Sequence, residues 1–283
     1  MPAKLMPAPA RLFVHLAREV HVAVILRRGP SKWVQAILWH TNNDTFEYGQ
    51  WFHGRIYDRV CDLSPDGSTF LYFAVRDHLR NRDMLHAPGL IRKWTAMSKP
   101  PYLTALSLWP NFDHFYMGGG YFIDKRTVYL FSDAEEKPEK GSIPENLKVI
   151  TSASEQAGEL PGKDDLNGWT QVQERVWQFP PGRALKPEIL RKDNYQSKYS
   201  ILRKSSTFHE YDYYLLDHTS NKEIRMSDVT WVDFDQKGRL VLTRDGKLFA
   251  LEPGGLLENA REITDFNSQR FTEVIAPEWA LHW

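Results

Sequence analysis

Two distant segments share one pattern of apolar strand, short polar residue and glycine turn, and nothing else constrains the fold as strongly. The first is Val60-Cys61-Asp62-Leu63-Ser64-Pro65-Asp66-Gly67, followed by Phe70-Leu71-Tyr72-Phe73. The second is Trp231-Val232-Asp233-Phe234-Asp235-Gln236-Lys237-Gly238, followed by Leu240 to Thr243. Asp62 aligns with Asp233, Leu63 with Phe234, Ser64 with Asp235 and Gly67 with Gly238. Ser and Asp hydrogen-bond the backbone of a following turn, and glycine tolerates the positive φ that such a turn needs. A strand-turn-strand unit is too small to shield its apolar side alone, so copies must stack against one another. At roughly 40 to 50 residues per blade, the separation between the copies spans three or four blade steps, predicting an all-β ring: a β-propeller of about five to six antiparallel blades.

The rest of the chain keeps that rhythm. Helical periodicity is scarce, whereas short runs rich in Val, Ile, Leu and aromatic residues recur between turn signals. Strands are expected at Leu12 to Leu16, Val20 to Leu26, Trp33 to Trp39, Phe70 to Val75, Leu103 to Trp109, Thr127 to Phe131, Tyr211 to Leu216, Leu240 to Thr243 and Lys247 to Leu251. Asp245-Gly246 supplies the two positive φ angles of a tight hairpin between the last two. Tyr121 to Phe131 and Tyr211 to Arg225 each read as strand, polar turn, strand. A helix is expected at Val75 to Leu85, stopped by Pro88 and Gly89. Residues 132–168 read as long, mobile surface loops around one strand-like piece, Leu147 to Thr151. The chain is expected to be a single domain over residues 1–283, closed by pairing the strand around Leu12 to Leu16 with C-terminal strands, because open sheet edges invite aggregation.

Charge and cysteine content narrow the partners. Lys plus Arg and Asp plus Glu number 36 each, so no overall field favours nucleic acid or an anionic membrane. No apolar run reaches the roughly 18 residues of a membrane helix. The single cysteine, Cys61, suits a reducing compartment, and the cytoplasm is the expected location.

The run Asp62 to Gly67 followed by Phe70-Leu71-Tyr72 resembles the Ser-Pro-Asp-Gly blade motif of TolB-like and WD-type propellers. Trp231 to Asp235, Gly238 to Val241, Asp245 to Phe249, Ile263 to Asn267 and Ala276 to Ala280 look like a group of bacterial propeller-like proteins, as does Gly118-Gly119-Gly120-Tyr121-Phe122. The resemblance implies a fold and no reaction, so no catalytic residue is carried over from it.

Motifs that could carry chemistry have structural readings. Asp233-x-Asp235 would need oxygen ligands where Lys237 and Arg244 stand, which favours a turn over calcium. Gly158 to Lys163 lacks the spacing and the hydroxyl of a phosphate loop. Gly118-Gly119-Gly120 is read as close chain packing. No nucleophile elbow is present, and the ten histidines show no metal-ligand spacing, so no cofactor or metal is expected. The aromatic clusters stand out: Trp39-His40 with Trp51 and His53, and Trp109 with His114 and Tyr116. If strand ends bring them to one rim, they form a surface of the kind that binds proteins or sugars; the competing reading is core between blades.

The function expected is therefore a non-enzymatic protein-binding or scaffold module using a propeller rim or central mouth. A rival is a glycoside hydrolase with Asp62 and Asp233 converging in a cavity. Another is a protein that neutralises or chaperones a bacterial protein encoded beside it.

Overall fold

In the computed structural model the described residues are 8–29, 32–76, 91–112, 118–131, 135–177, 184–205 and 211–283. They divide into two compact units, Met1–Leu160 with Asn267–Trp283, and Pro161–Phe266. Strands dominate both, in five sheets of three or more strands plus one two-stranded ribbon.

Sheet 1 is an antiparallel meander of Arg11–Leu16, Val22–Arg28, Trp33–His40 and Thr45–His53. Sheet 2 centres on Phe70–Val75, flanked by Lys93–Ser98 and Ser107–Pro110 on one side and by the short strands Arg55–Ile56 and Asp62–Leu63 on the other. Sheet 3 holds Gly120–Asp124, Thr127–Leu130 and Lys148–Thr151. Successive side chains of a strand point to opposite faces. Phe70, Tyr72 and Ala74 accordingly meet Val24, Leu26, Val34 and Ala36 of sheet 1. Leu71 turns the other way, joining Met97 and Trp109 against Phe122, Val128 and Leu130 of sheet 3. Sheet 2 is thus covered on both faces, which is why all six residues of Phe70–Val75 are apolar and buried.

The second unit repeats the arrangement with two sheets. Sheet 4 runs Thr170–Gln173, Glu188–Lys192, Tyr199–Ser205, Asp212–Asp217 and Lys222–Arg225. Sheet 5 is the meander Val229–Phe234, Leu240–Arg244, Lys247–Leu251 and Arg261–Asp265. Ile201 and Leu215 of the former pack against Val232, Leu240 and Leu242 of the latter. Asp245 (φ 52°) and Gly246 (φ 74°) make the expected hairpin turn, with Arg244 opposite Lys247.

The two copied turns share one hydrogen-bond pattern. Ser64 N–H donates to Thr69 O and Gly67 N–H to Ser64 O, both at 2.8 Å. Asp235 N–H donates to Arg239 O at 3.0 Å and Gly238 N–H to Asp235 O at 2.9 Å. Both glycines are left-handed, at φ 72° and 74°. Ser64 Oγ accepts Thr69 N–H and Asp235 Oδ1 accepts Arg239 N–H, each at 2.9 Å. Asp235 also receives Arg239 Nε at 2.7 Å, a buried ion pair at the root of the hairpin. Burial pushes the Asp235 carboxyl up from its ordinary range, and Arg239 opposes that shift.

Three expectations are corrected. Val75 ends a strand and begins no helix, and residues 77–85 of the expected helix lie outside the described set. Residues 135–168 hold more than the one expected strand: Lys148–Thr151 forms at the strand-like piece Leu147 to Thr151 and lies parallel to Thr127–Leu130, but Lys140–Gly141 adds a second that pairs with Ser107–Pro110. A short helix, Lys163–Leu166, follows. The third correction concerns closure. Among the described residues Leu12 to Leu16 pairs with Val22–Arg28 alone, so no C-terminal strand joins it.

A C-terminal strap ties the first unit together instead. Asn267 Oδ1 accepts Ala10 N–H at 2.9 Å, and Gln50 Nε2 donates to Val274 O at 3.2 Å. Lys99 Nζ donates to Trp279 O at 2.9 Å, and Trp283 Nε1 to Ser142 O at 2.5 Å. The strap reaches sheet 1, the turn after Lys93–Ser98 and the outer edge of sheet 2 without itself forming a strand. Side-chain donors at Gln50, Lys99 and Trp283 replace a strand ladder, which alternation patterns do not reveal.

Two outcomes are expected. Ending the chain after Phe266 lowers the melting temperature and exposes Trp33 and Trp51 to quenching of tryptophan fluorescence. Arg239→Ala, which strands a buried carboxylate, costs about 3–5 kcal/mol in denaturant unfolding.

Candidate functional site

The hairpin Trp33–His40 and Thr45–His53 carries four of the predicted rim residues and keeps them apart. His40 faces Thr45 beside the turn, and His53 faces Trp33 at the far end. At about 3.3 Å per residue, seven steps along the strand separate these ends by about 23 Å. Trp39-His40 and Trp51-His53 therefore do not share a rim.

Each predicted residue has a distinct environment. Trp39 is fully buried, its Nε1 donating to Asp44 Oδ1 at 3.2 Å and its ring stacked toward Phe46. His40 Nε2 pairs with Glu47 Oε1 at 2.6 Å. Trp109 is buried in the core between sheets 2 and 3, with Nε1 donating to Glu135 O at 3.1 Å. Trp109 thus fills space between sheets, and Trp39 is buried against its own hairpin. His114 and Tyr116 lie outside the described residues.

Trp51 and His53 remain at the surface, within a cluster that the sequence did not announce. The His53 ring lies 4.7 Å from Trp33, and Phe271 of the strap stacks on Trp33 at 4.2 Å. Phe271 also meets Trp51 edge-on at 6.3 Å, and the Arg27 guanidinium sits 5.6 Å from the Trp51 ring. Burial and the neighbouring Arg270 guanidinium push the Arg27 pKa down. Phe271 is 52% exposed, and along the same strap Ile275 (84%), Trp279 (57%) and Leu281 (38%) are exposed too. Trp33 and Phe271 went unnoticed because their meeting requires the strap's return. The available signal was the spacing of Phe271, Ile275 and Trp279 among polar residues.

The two aspartates of the hydrolase reading serve local structure. Asp62 Oδ2 accepts the buried Phe122 N–H at 2.8 Å, and Asp233 Oδ1 pairs with Lys192 Nζ at 2.5 Å. The glycine run before Phe122 also serves packing. A Cβ on Gly118 would meet Phe73 at 2.3 Å, and one on Gly119 would meet Val60 O at 2.1 Å.

One constellation superficially resembles a nucleophilic relay. Ser200 Oγ donates to Asp193 Oδ1 and lies 2.9 Å from His218 Nε2. With its O–H directed at the Asp193 carboxylate, the hydroxyl has only its lone pairs to offer His218, the reverse of the transfer that activates a serine. Burial pushes the Asp193 carboxyl up, but hydrogen bonds from Ser200 and Arg191 outweigh it and hold the group below its ordinary range. Among the described residues no group of three or more His, Cys, Asp or Glu side chains could hold a metal, and no helix is long and apolar enough to cross a membrane. A serine-directed fluorophosphonate is expected to leave the chain unlabelled in intact-mass spectrometry.

No family model matches the chain, and no curated protein matches it. Among solved structures it is similar to the β-propeller domain of the Trilobed protease from Pyrococcus furiosus, at 9% identity and TM-score 0.34, covering 92% of this chain and 100% of that one. It is also similar to Pyrococcus horikoshii acylaminoacyl peptidase, at 14% identity and TM-score 0.31, over 92% of this chain and 45% of that one. An acylaminoacyl peptidase in complex with Z-Gly-Gly-Phe-chloromethyl ketone matches at 15% identity and TM-score 0.29, over 90% of this chain. The chain spans 45% of the length of that peptidase too.

Proposed function

We propose that the chain is a non-enzymatic binding module of the β-propeller class, and that it engages a protein partner through the aromatic surface of its first unit. Exposed apolar side chains crowded on one segment carry this reading: Phe271, Ile275, Trp279 and Leu281 follow one another along the strap, with Trp33 and Trp51 beneath Phe271. Scattered apolar residues on a surface need no explanation, whereas contiguous ones mark interaction sites. Trp and Phe bring large contact area with few rotamers to freeze, and they recur at the energetic centre of interfaces. The strap is anchored through Asn267, the carbonyls of Val274 and Trp279, and Trp283 Nε1, so these exposed side chains are held in place before binding. Preorganisation of this kind reduces the entropy lost on association.

The test compares Phe271→Ser/Trp279→Ser with Tyr195→Ser, which removes a 95% exposed ring from the second unit. Wild type and Tyr195→Ser should retain a stoichiometric protein from a native lysate. The double variant should bind that protein with roughly thirtyfold lower affinity, the loss of about 2 kcal/mol expected at an interface centre. Equal binding by all three chains would rule out the strap surface.

A further inference from the structure

The second unit carries an open groove of about 530 Å³, lined by residues of sheet 4, by Arg244 of sheet 5 and by the segment that joins the last two strands of sheet 5. Ile224, Leu257 and Ala260 form its apolar floor, extending the core that the two sheets share. Leu256 stands on the rim, 38% exposed. Tyr199 closes one side, its hydroxyl accepting Leu257 N–H at 3.2 Å.

Ile224 lies in Lys222–Arg225, the last strand of sheet 4, which pairs with Asp212–Asp217 on one side only. Its other side is a row of backbone groups with no strand beside it among the described residues. Such an edge is a template for another extended chain. A strand added there would continue the sheet, and every second side chain would point the way Ile224 points, into the groove. Main-chain hydrogen bonds then supply affinity, and the groove reads alternate side chains.

The charges around the groove narrow what fits. The Asp217 carboxylate is taken up by Thr219 N–H at 2.8 Å and Ser220 Oγ at 2.9 Å, with Lys198 beside it. Arg244 lies over the Phe249 ring at 5.1 Å and has no carboxylate partner among the described residues. Glu258, also in the lining, has no cationic partner there. An occupant with an acidic side chain would find the unpaired guanidinium, and Glu258 would favour a basic group or a backbone N–H.

We propose that the open edge of Lys222–Arg225 and the groove beside it dock an extended segment of a partner protein, with apolar residues at alternate positions and an acidic residue facing Arg244. The inference rests on the reading of the chain as a protein-binding module but uses a surface separate from the strap, so the two can fail independently.

The probe is a displayed library of random octapeptides selected on the full chain. Selected sequences should converge on alternating apolar residues with an Asp or Glu. A synthetic winner should slow hydrogen exchange in Lys222–Arg225 and bind Leu256→Asp and Arg244→Gln at least about tenfold more weakly. Methylating its backbone nitrogens should abolish binding without touching the protein, and Phe271→Ser should leave binding unchanged. Failure of the library to converge would overturn the proposal, as would a winner indifferent to both Leu256→Asp and backbone methylation. A winner lost on Phe271→Ser but kept on Leu256→Asp would assign peptide binding to the strap and also overturn it.

Discussion

Face-to-face contact between successive sheets is the constraint on which the rest of the structure depends, because no sheet here is thick enough to form a core alone. Sheet 2 shows the effect most fully: Phe70, Tyr72 and Ala74 are buried against sheet 1, and Leu71 against sheet 3. Fully burying a large apolar side chain contributes about 1.5–3 kcal/mol, so this one strand anchors two cores at once. A one-residue slip would exchange the two sets of side chains. Asp62, in the strand paired with Phe70–Val75, fixes the neighbouring sheet by receiving Phe122 N–H. An unpaired N–H at that depth would cost about 1–3 kcal/mol.

The copied turns show how one local solution serves two surroundings. Ser64 and Asp235 cap equivalent turns, but only Asp235 carries a charge into the interior, and Arg239 accompanies it there. The aspartates two positions earlier diverge completely, Asp62 holding a backbone amide and Asp233 a lysine. Repetition in sequence thus reports the shape of a turn, while the chemistry of each position is set by what the next sheet brings to it.

Local features were legible in the sequence, and long-range ones were not. The Asp245-Gly246 hairpin and the strands Phe70–Val75 and Lys247–Leu251 follow from alternation, apolar runs and turn chemistry, which depend on near neighbours. The strand at Leu147 to Thr151 was legible as an apolar run, but its parallel pairing with Thr127–Leu130 was not, because charged flanks rich in proline and glycine say nothing of which strand it joins. Trp39 and Trp109 look like binding residues in composition, but both are buried, Trp109 against a sheet formed by later residues. The surface cluster inverts that case: Trp51 and His53 were visible, whereas Trp33 and Phe271 acquire meaning only when residues distant in sequence meet.

The return of the strap has a consequence for how the molecule is made. Ala10 is bonded to Asn267 and Ser142 to Trp283, so the first unit is discontinuous, with the whole of the second inserted between its parts. A nascent chain emerging from the ribosome could assemble the second unit from contiguous residues but could not finish the first until Asn267–Trp283 had been translated. Closing so long a loop is slow compared with pairing a hairpin. Until then Trp33 and Trp51 would lack their cover, and the growing polypeptide would present to the cell the aromatic surface that the strap later occupies.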